Sequence, residues 1–130
     1  MLLDASFLID VIRKDPAAVA RAKSLEREAV EVLIPTPVLF ELWRGVHLAS
    51  RSAQEEERVT RLLATYPTAP FDAEAASRAG ELDARLVKEG SPIDPEDAMI
   101  AGIALARDAA ILTKNVKHFG RVPGLRVEEY

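Results

Sequence analysis

Short apolar runs alternate with longer stretches of helical periodicity along the 130 residues. Met1-Leu2-Leu3-Asp4 reads as a buried first strand, about residues 1–4, closed by an acid. Residues 6–13 then read as a helix with Ser6 as its expected N-cap. Asp15-Pro16 pairs a capping acid with a proline at the first helical position, which predicts a helix to about residue 28. Val30, Val32, Leu33 and Ile34 predict the second strand, stopped by Pro35.

Thr36-Pro37 repeats the cap-then-proline signal and starts a helix to about Ala49. A polar helix over 52–65 turns Val59, Leu62 and Leu63 inward. Thr68 to Phe71 is expected as a short third strand. Asp72 then caps a long helix, with Ala76, Ala79, Leu82, Ala84, Leu86 and Val87 as its candidate buried face and Gly90 as its stop. Asp94-Pro95 opens the most apolar helix, running to about Asp108. Ala109–Thr113 reads as a strand and Arg126-Val127-Glu128 as a final edge strand. Strands alternating with helices predict an α/β fold with a mainly parallel sheet. No repeat, low-complexity stretch or linker interrupts the pattern, so one domain over residues 1–130 is expected.

Composition narrows the chemistry. With no cysteine there is no disulfide, thiolate metal site or cysteine nucleophile, and His47 and His118 are the only histidines. No apolar run approaches the roughly 20 residues that span a bilayer, and the start lacks a basic n-region. A cytoplasmic protein is the expectation. The formal charge of −4 opposes nucleic-acid binding by net charge, although a local basic patch suffices for phosphate contacts.

Three acids stand where an α/β protein normally avoids charge: Asp4 ending the first strand, Glu41 within Pro37-Val38-Leu39-Phe40-Glu41-Leu42-Trp43, and Asp97 opening the apolar helix. Carboxylates among apolar neighbours are costly unless compensated, and three from separate segments point to a divalent cation. Open parallel sheets bind ligands beyond the carboxyl ends of their strands, where Asp4 and Asn115 both fall. Each acid also has a plain structural reading. Asp4-Ala5-Ser6 can be a strand end and cap, Glu41 can pair with Arg44 one turn on, and Asp97 gains from the helix dipole. Asp94 before Pro95 reads foremost as a cap.

Leu2-Leu3-Asp4-Ala5-Ser6, Pro35-Thr36-Pro37-Val38 leading to Glu41-Leu42, Ile93-Asp94-Pro95-Glu96-Asp97-Ala98-Met99-Ile100-Ala101 and Leu112-Thr113-Lys114-Asn115-Val116-Lys117-His118-Phe119 occur in this order along essentially the whole chain. Together they resemble the PIN domain, and within it the VapC-type toxins of prokaryotic toxin–antitoxin pairs. The resemblance implies a three-layer α/β/α sandwich and a Mg²⁺- or Mn²⁺-dependent endoribonuclease, neutralised by a small antitoxin and dimeric. It carries the family's acids onto Asp4, Glu41 and Asp97, with Ser6 and Thr113 as orienting hydroxyls. Where the family often has a fourth acid this chain has Asn115, and Asp94 is a candidate to replace the missing carboxylate.

Oxygen ligands suit Mg²⁺ and Mn²⁺, and such an ion polarises a phosphodiester and activates water. Basic groups framing the acids for RNA are Arg13, Lys14, Arg44, Lys114, Lys117 and Arg121, with Arg44 and Lys114 the main substrate-binding candidates. His118 is expected to cap or pack near Phe119, and Trp43 to serve the core or an interface. Two rivals stay open. A haloacid-dehalogenase-like phosphatase would need an aspartate where Ser6 stands, and a receiver domain an acid ending a later strand. A binding protein with a degraded site is the other rival, favoured by Asn115.

Overall fold

A computed structural model describes residues 1–130. Five short strands, β1 (Leu2–Leu3), β2 (Ile34–Pro35), β3 (Thr68–Ala69), β4 (Ile111–Leu112) and β5 (Val127–Glu128), alternate with seven helices. These are α1 (Ala5–Ile12), α2 (Pro16–Arg27), α3 (Thr36–Leu48), α4 (Ser52–Thr65), α5 (Ala73–Lys88), α6 (Pro95–Arg107) and α7 (Val116–Phe119). Every pairing is parallel: β1 with β4, β4 with β5 and β2 with β3. A parallel bridge between Leu2 and Leu33 joins the two groups, with Leu3 N–H donating to the Leu33 carbonyl at 3.0 Å. The resulting order is β3-β2-β1-β4-β5, in a three-layer α/β/α sandwich. The direction of strand addition reverses between β1 and β4, which is where such sheets leave a crevice.

The core is continuous. Leu2, Leu3, Phe7, Leu8, Ile34, Ile111, Leu112 and Phe119 are wholly buried, and the apolar face of α6 (Ile100, Ala101, Ile103, Ala104) packs among them. α5 lies on α6 with Ala75, Ala79, Leu82 and Leu86 turned inward, a helical stripe of spacing four, three and four. The sequence had offered Ala76, Ala84 and Val87 for that face; all three are exposed, Val87 at 58%. Ala79, Leu82 and Leu86 face inward as expected, and the stripe reaches back to Ala75, not Ala76, because Ala75 is in phase with Leu82.

Several local expectations are corrected. Ser6 is helical, and Asp4 occupies the N-cap position of α1 without a capping side-chain bond. The second strand is shorter than 30–34 and ends on Pro35, where a missing N–H breaks no ladder. Thr36 is the first residue of α3, and its hydroxyl instead accepts from Phe71 N–H at 3.0 Å, tying β2 to the segment after β3. α7 had no forecast; four residues carry too little periodicity.

Candidate metal centre

Backbone bonds bring the ends of β1 and β4 into register. Asp4 N–H donates to the Leu112 carbonyl at 3.1 Å, and Thr113 N–H to the Glu128 carbonyl at 3.0 Å. Asp4 is therefore held at the reversal point with 6% of its surface exposed, beside Thr113, which is fully buried. Thr113 Oγ1 donates to Asp4 Oδ2 at 2.6 Å and Ser6 Oγ approaches the same oxygen at 3.3 Å. The two hydroxyls are 3.4 Å apart, and the Lys114 and Asn115 amides donate to Ser6 Oγ and Thr113 Oγ1 at 3.2 and 2.8 Å. The tight turn after β4 is thereby locked to the end of β1. Burial pushes the Asp4 carboxyl above its ordinary pKa, against the Thr113, Ala5 and Ser6 hydrogen bonds that hold it down; the Asp97 charge adds to the rise.

Asp97, in the first turn of α6, faces the same turn from the other side. Asn115 Nδ2 donates to Asp97 Oδ2 at 3.1 Å, and His118 Nδ1 lies 3.0 Å from that oxygen. With the Asn115 amide donating, a neutral His118 that carries its proton on Nδ1 also donates to Asp97. His118 thus turns toward an acid rather than only packing beside Phe119 as expected. Asp94 holds the N-cap position of α6 but accepts no capping hydrogen bond, which corrects its reading as a cap. Ligand atoms of Asp94, Asp97 and His118 all lie within 4.8 Å of one another.

Glu41 comes in from α3, which packs against both α1 and α6. Although much of the residue is exposed, desolvation of its carboxyl and the charges of Glu96, Asp4 and Asp97 push its pKa up to about 7. Its alternative pairing with Arg44 does not form; Arg44 is exposed and has no ion-pair partner, while Lys114 is bound to Asp10 at 2.5 Å and lies over the Tyr130 ring. Tyr130 OH donates to Asp10 at 2.8 Å, and those two bonds hold the Asp10 carboxyl below the ordinary range.

Glu96 is the residue that sequence reasoning missed. Its carboxyl pKa is raised, first by burial and then by Asp97 and Asp4, and it sits within reach of Glu41. A protonated Glu41 can donate to Glu96, which holds the Glu96 carboxyl down, while Glu96 Oε1 finds no hydrogen-bond partner among the other groups. Asp4 and Asp97 each push up the carboxyls of both Glu41 and Glu96, and these oxygen donors, one of them left orphaned, suit a hard divalent cation. The signal available in the sequence was its place between Pro95 and Asp97, but a glutamate there reads equally as a partner of the helix dipole.

A PIN domain family model matches residues 1–125. The chain belongs to the PIN domain family. Among its relatives, the tRNA(fMet)-specific endonuclease VapC of Shigella flexneri is 31% identical over 129 residues, covering 99% of this chain and 96% of that protein. Ribonuclease VapC19 of Mycobacterium tuberculosis is 32% identical over 127 residues, covering 96% of each. The PIN fold here superposes on VapBC2 from Rickettsia felis, solved bound to a DNA fragment from their promoter, with a TM-score of 0.92 and 28% identity over 99% of this chain and 97% of that one. No helix of this PIN domain is long and apolar enough to cross a membrane.

Proposed function

We propose that this PIN domain is a divalent-metal-dependent endoribonuclease, the toxin of a toxin–antitoxin pair, working in the cytoplasm as a homodimer that a small antitoxin silences. The observation that carries the reading is the buried Asp4, held by Thr113 and Ser6 at the reversal point of the sheet, with Asp97 facing the same turn and its charge raising both Asp4 and Glu41. The Shigella and Mycobacterium relatives, named as nucleases, and the VapBC complex support the activity and the kind of partner.

In this reading Asp4 and Asp97 hold a Mg²⁺ or Mn²⁺ ion, and Glu41 and Glu96 supply further oxygens around it. The bound ion would polarise the scissile phosphodiester and offset the charge developing on it. The protein's own groups set the stage. Thr113 and Ser6 orient Asp4, and Asn115 orients Asp97 by donating to Oδ2. Glu41, which loss of solvation and the charges of Glu96, Asp4 and Asp97 make a stronger proton acceptor in the metal-free protein, would take the proton of an attacking water. Lys114, fixed by Asp10, stands on the rim as a phosphate contact, and Arg44 is a free cation on the helix that carries Glu41. One domain, a single RNA-cutting unit, accounts for the whole chain.

The degraded-site reading rests on Asn115, which removes one acid. It is separated by incubating purified protein with RNA, transfer RNA first, in Mg²⁺ and in Mn²⁺. Cleavage that vanishes in Asp4→Asn and Asp97→Asn sustains the nuclease; inert RNA in both ions, with a folded protein, rejects it.

A further inference from the structure

The turn carrying Asn115 sorts the ligands into two groups. On one side Asp4 is wrapped by hydroxyls, with every donor an oxygen. On the other, Asp94, Asp97 and His118 converge from the residue before α6, its first turn and α7, with ligand atoms within 4.8 Å of one another. We propose that Asp94, Asp97 and His118 form a second cation position, sharing Asp97 with the first, that selects a dication accepting nitrogen, Mn²⁺ rather than Mg²⁺.

Three observations carry this. The first is the Asp94 side chain. Two other aspartates at N-cap positions close their helices with the carboxylate: Asp15, also followed by proline, accepts from Ala18 N–H at 3.0 Å, and Asp72 accepts from Ala75 N–H at 3.0 Å. Asp94 makes no such bond, so its carboxylate is not engaged by the backbone and lies with Asp97 and His118. The second is the imidazole. His118 presents Nδ1, and not Nε2, to Asp97 Oδ2 at 3.0 Å and to Asn115 Nδ2 at 3.3 Å; with its proton on Nε2 the Nδ1 lone pair lies beside Asp97 Oδ2, where a cation would compete for it with the Asn115 amide. Asn115 Nδ2 already donates to Asp97 Oδ2, so the acid keeps a hydrogen bond in that tautomer. The third is charge. Asp94, Glu96 and Asp97 place three carboxylates at the N-terminal end of α6, more negative charge than the helix dipole there offsets.

The selectivity follows from ligand type. Mg²⁺ takes oxygen in near-ideal octahedra and sheds water reluctantly, whereas the transition-metal dications accept imidazole beside carboxylate. With the Asn115 amide and the His118 imidazole beside Asp97, this position differs from an all-carboxylate centre in ligand type and not merely in charge. The inference rests on the acid centre holding cations, as proposed above, and its test is independent of RNA cleavage.

The full-length protein is titrated with Mn²⁺ and the bound ion is examined by pulsed electron paramagnetic resonance for coupling to imidazole nitrogen. With only two histidines the assignment is direct: His47 lies on α3, stacked on Trp43. Nitrogen coupling is expected in the native protein and in His47→Gln, and is expected to disappear in His118→Ala. Asp94→Asn should weaken Mn²⁺ at this position by about tenfold or more. Bound Mn²⁺ with no nitrogen coupling, coupling that survives His118→Ala, or no uptake of Mn²⁺ overturns the proposal. Nitrogen coupling in a protein that leaves RNA intact sustains this site and rejects the nuclease reading; cleavage by a protein whose Mn²⁺ has oxygen ligands alone does the reverse.

Discussion

Thr113 Oγ1 donates to Asp4 Oδ2 across 2.6 Å, a bond between residues 109 apart in the chain, and both are buried. It serves two purposes at once: it gives a desolvated carboxylate a shorter hydrogen bond than the one from Ser6, and it fixes which oxygen of Asp4 faces the cleft. Replacing Thr113 by Val keeps the shape and removes the donor. The expected loss is about 1–3 kcal/mol of unfolding free energy, since a buried charged acceptor is left short of a partner. Urea titration reads it directly. The Asp4 carboxyl should also titrate at higher pH, which two-dimensional carboxyl NMR would follow; unchanged stability and titration would show that the bond carries nothing.

Glu41 gives the metal-free protein a pH signature. Its pKa rises from an ordinary 4.5 to about 7 on folding, so between those values the folded state holds more protons than the unfolded one. Stability is therefore full below about 4.5 and falls as pH climbs toward about 7, the opposite of a salt-bridged acid. Asp4 and Glu96 shift in the same direction. Melting temperatures of chelator-treated protein should decline across that window, and Glu41→Gln should flatten the decline. Adding Mg²⁺ or Mn²⁺ should restore stability most at the alkaline end, because the cation competes with the protons. A melting profile equally steep in Glu41→Gln would remove Glu41 as the cause.

Loss of charge at the centre should separate chemistry from folding. Asp97→Asn keeps the volume and part of the hydrogen bonding to Asn115 while removing the negative charge that Asn115 and His118 now face. RNA cleavage is expected to fall by at least about 100-fold, beyond the roughly 10- to 100-fold typical of losing an outer partner of a metal site. Circular dichroism should be unchanged. Near-native cleavage by this variant would place the chemistry elsewhere.

The parallel α/β fold was legible because each strand and helix carries its own period and punctuation; Asp15-Pro16 and Asp72 announced helix starts that the structure reproduces. That Asp4 and Asn115 share one edge could be read from their strand ends, since a parallel sheet puts those ends together, whereas Glu41 and Asp97 ride on α3 and α6 and depend on how those helices pack. Side-chain destinations could not. Ser6 looks like a cap from its neighbours, yet it bonds across to Thr113, 107 residues away. Asp15-Pro16 and Asp94-Pro95 are the same dipeptide, and only the first caps, because what surrounds the second carboxylate is set by α7. Glu96 was invisible for a like reason: whether a first-turn glutamate points to water or into a cleft is decided by the packing of α3 on α6.

The packing of α5 on α6 makes Gly102 a place where a helix-favouring change should fail. In an exposed helix interior, alanine for glycine gains about 1 kcal/mol. Here a methyl on Gly102 would stand 2.5 Å from the Ala75 carbonyl oxygen, 2.7 Å from Ala79 Cβ and 2.9 Å from Ala79 N. Two of those atoms are backbone, so neither can swing aside, and α5 would have to lift from α6 along the stripe of Ala75, Ala79, Leu82 and Leu86. Overpacking of this kind costs about 1–3 kcal/mol, which outweighs the propensity gain. Gly102→Ala should therefore lower the unfolding midpoint in urea. Because α6 carries Asp97 into the centre, the displacement should weaken cation binding as well. Gly80, on the exposed side of α5 with nothing within 4 Å of an added methyl, is the matched control, and Gly80→Ala should stabilise. If both substitutions stabilise, the close approach of the two helices is not what holds α6, and with it Asp97, in place.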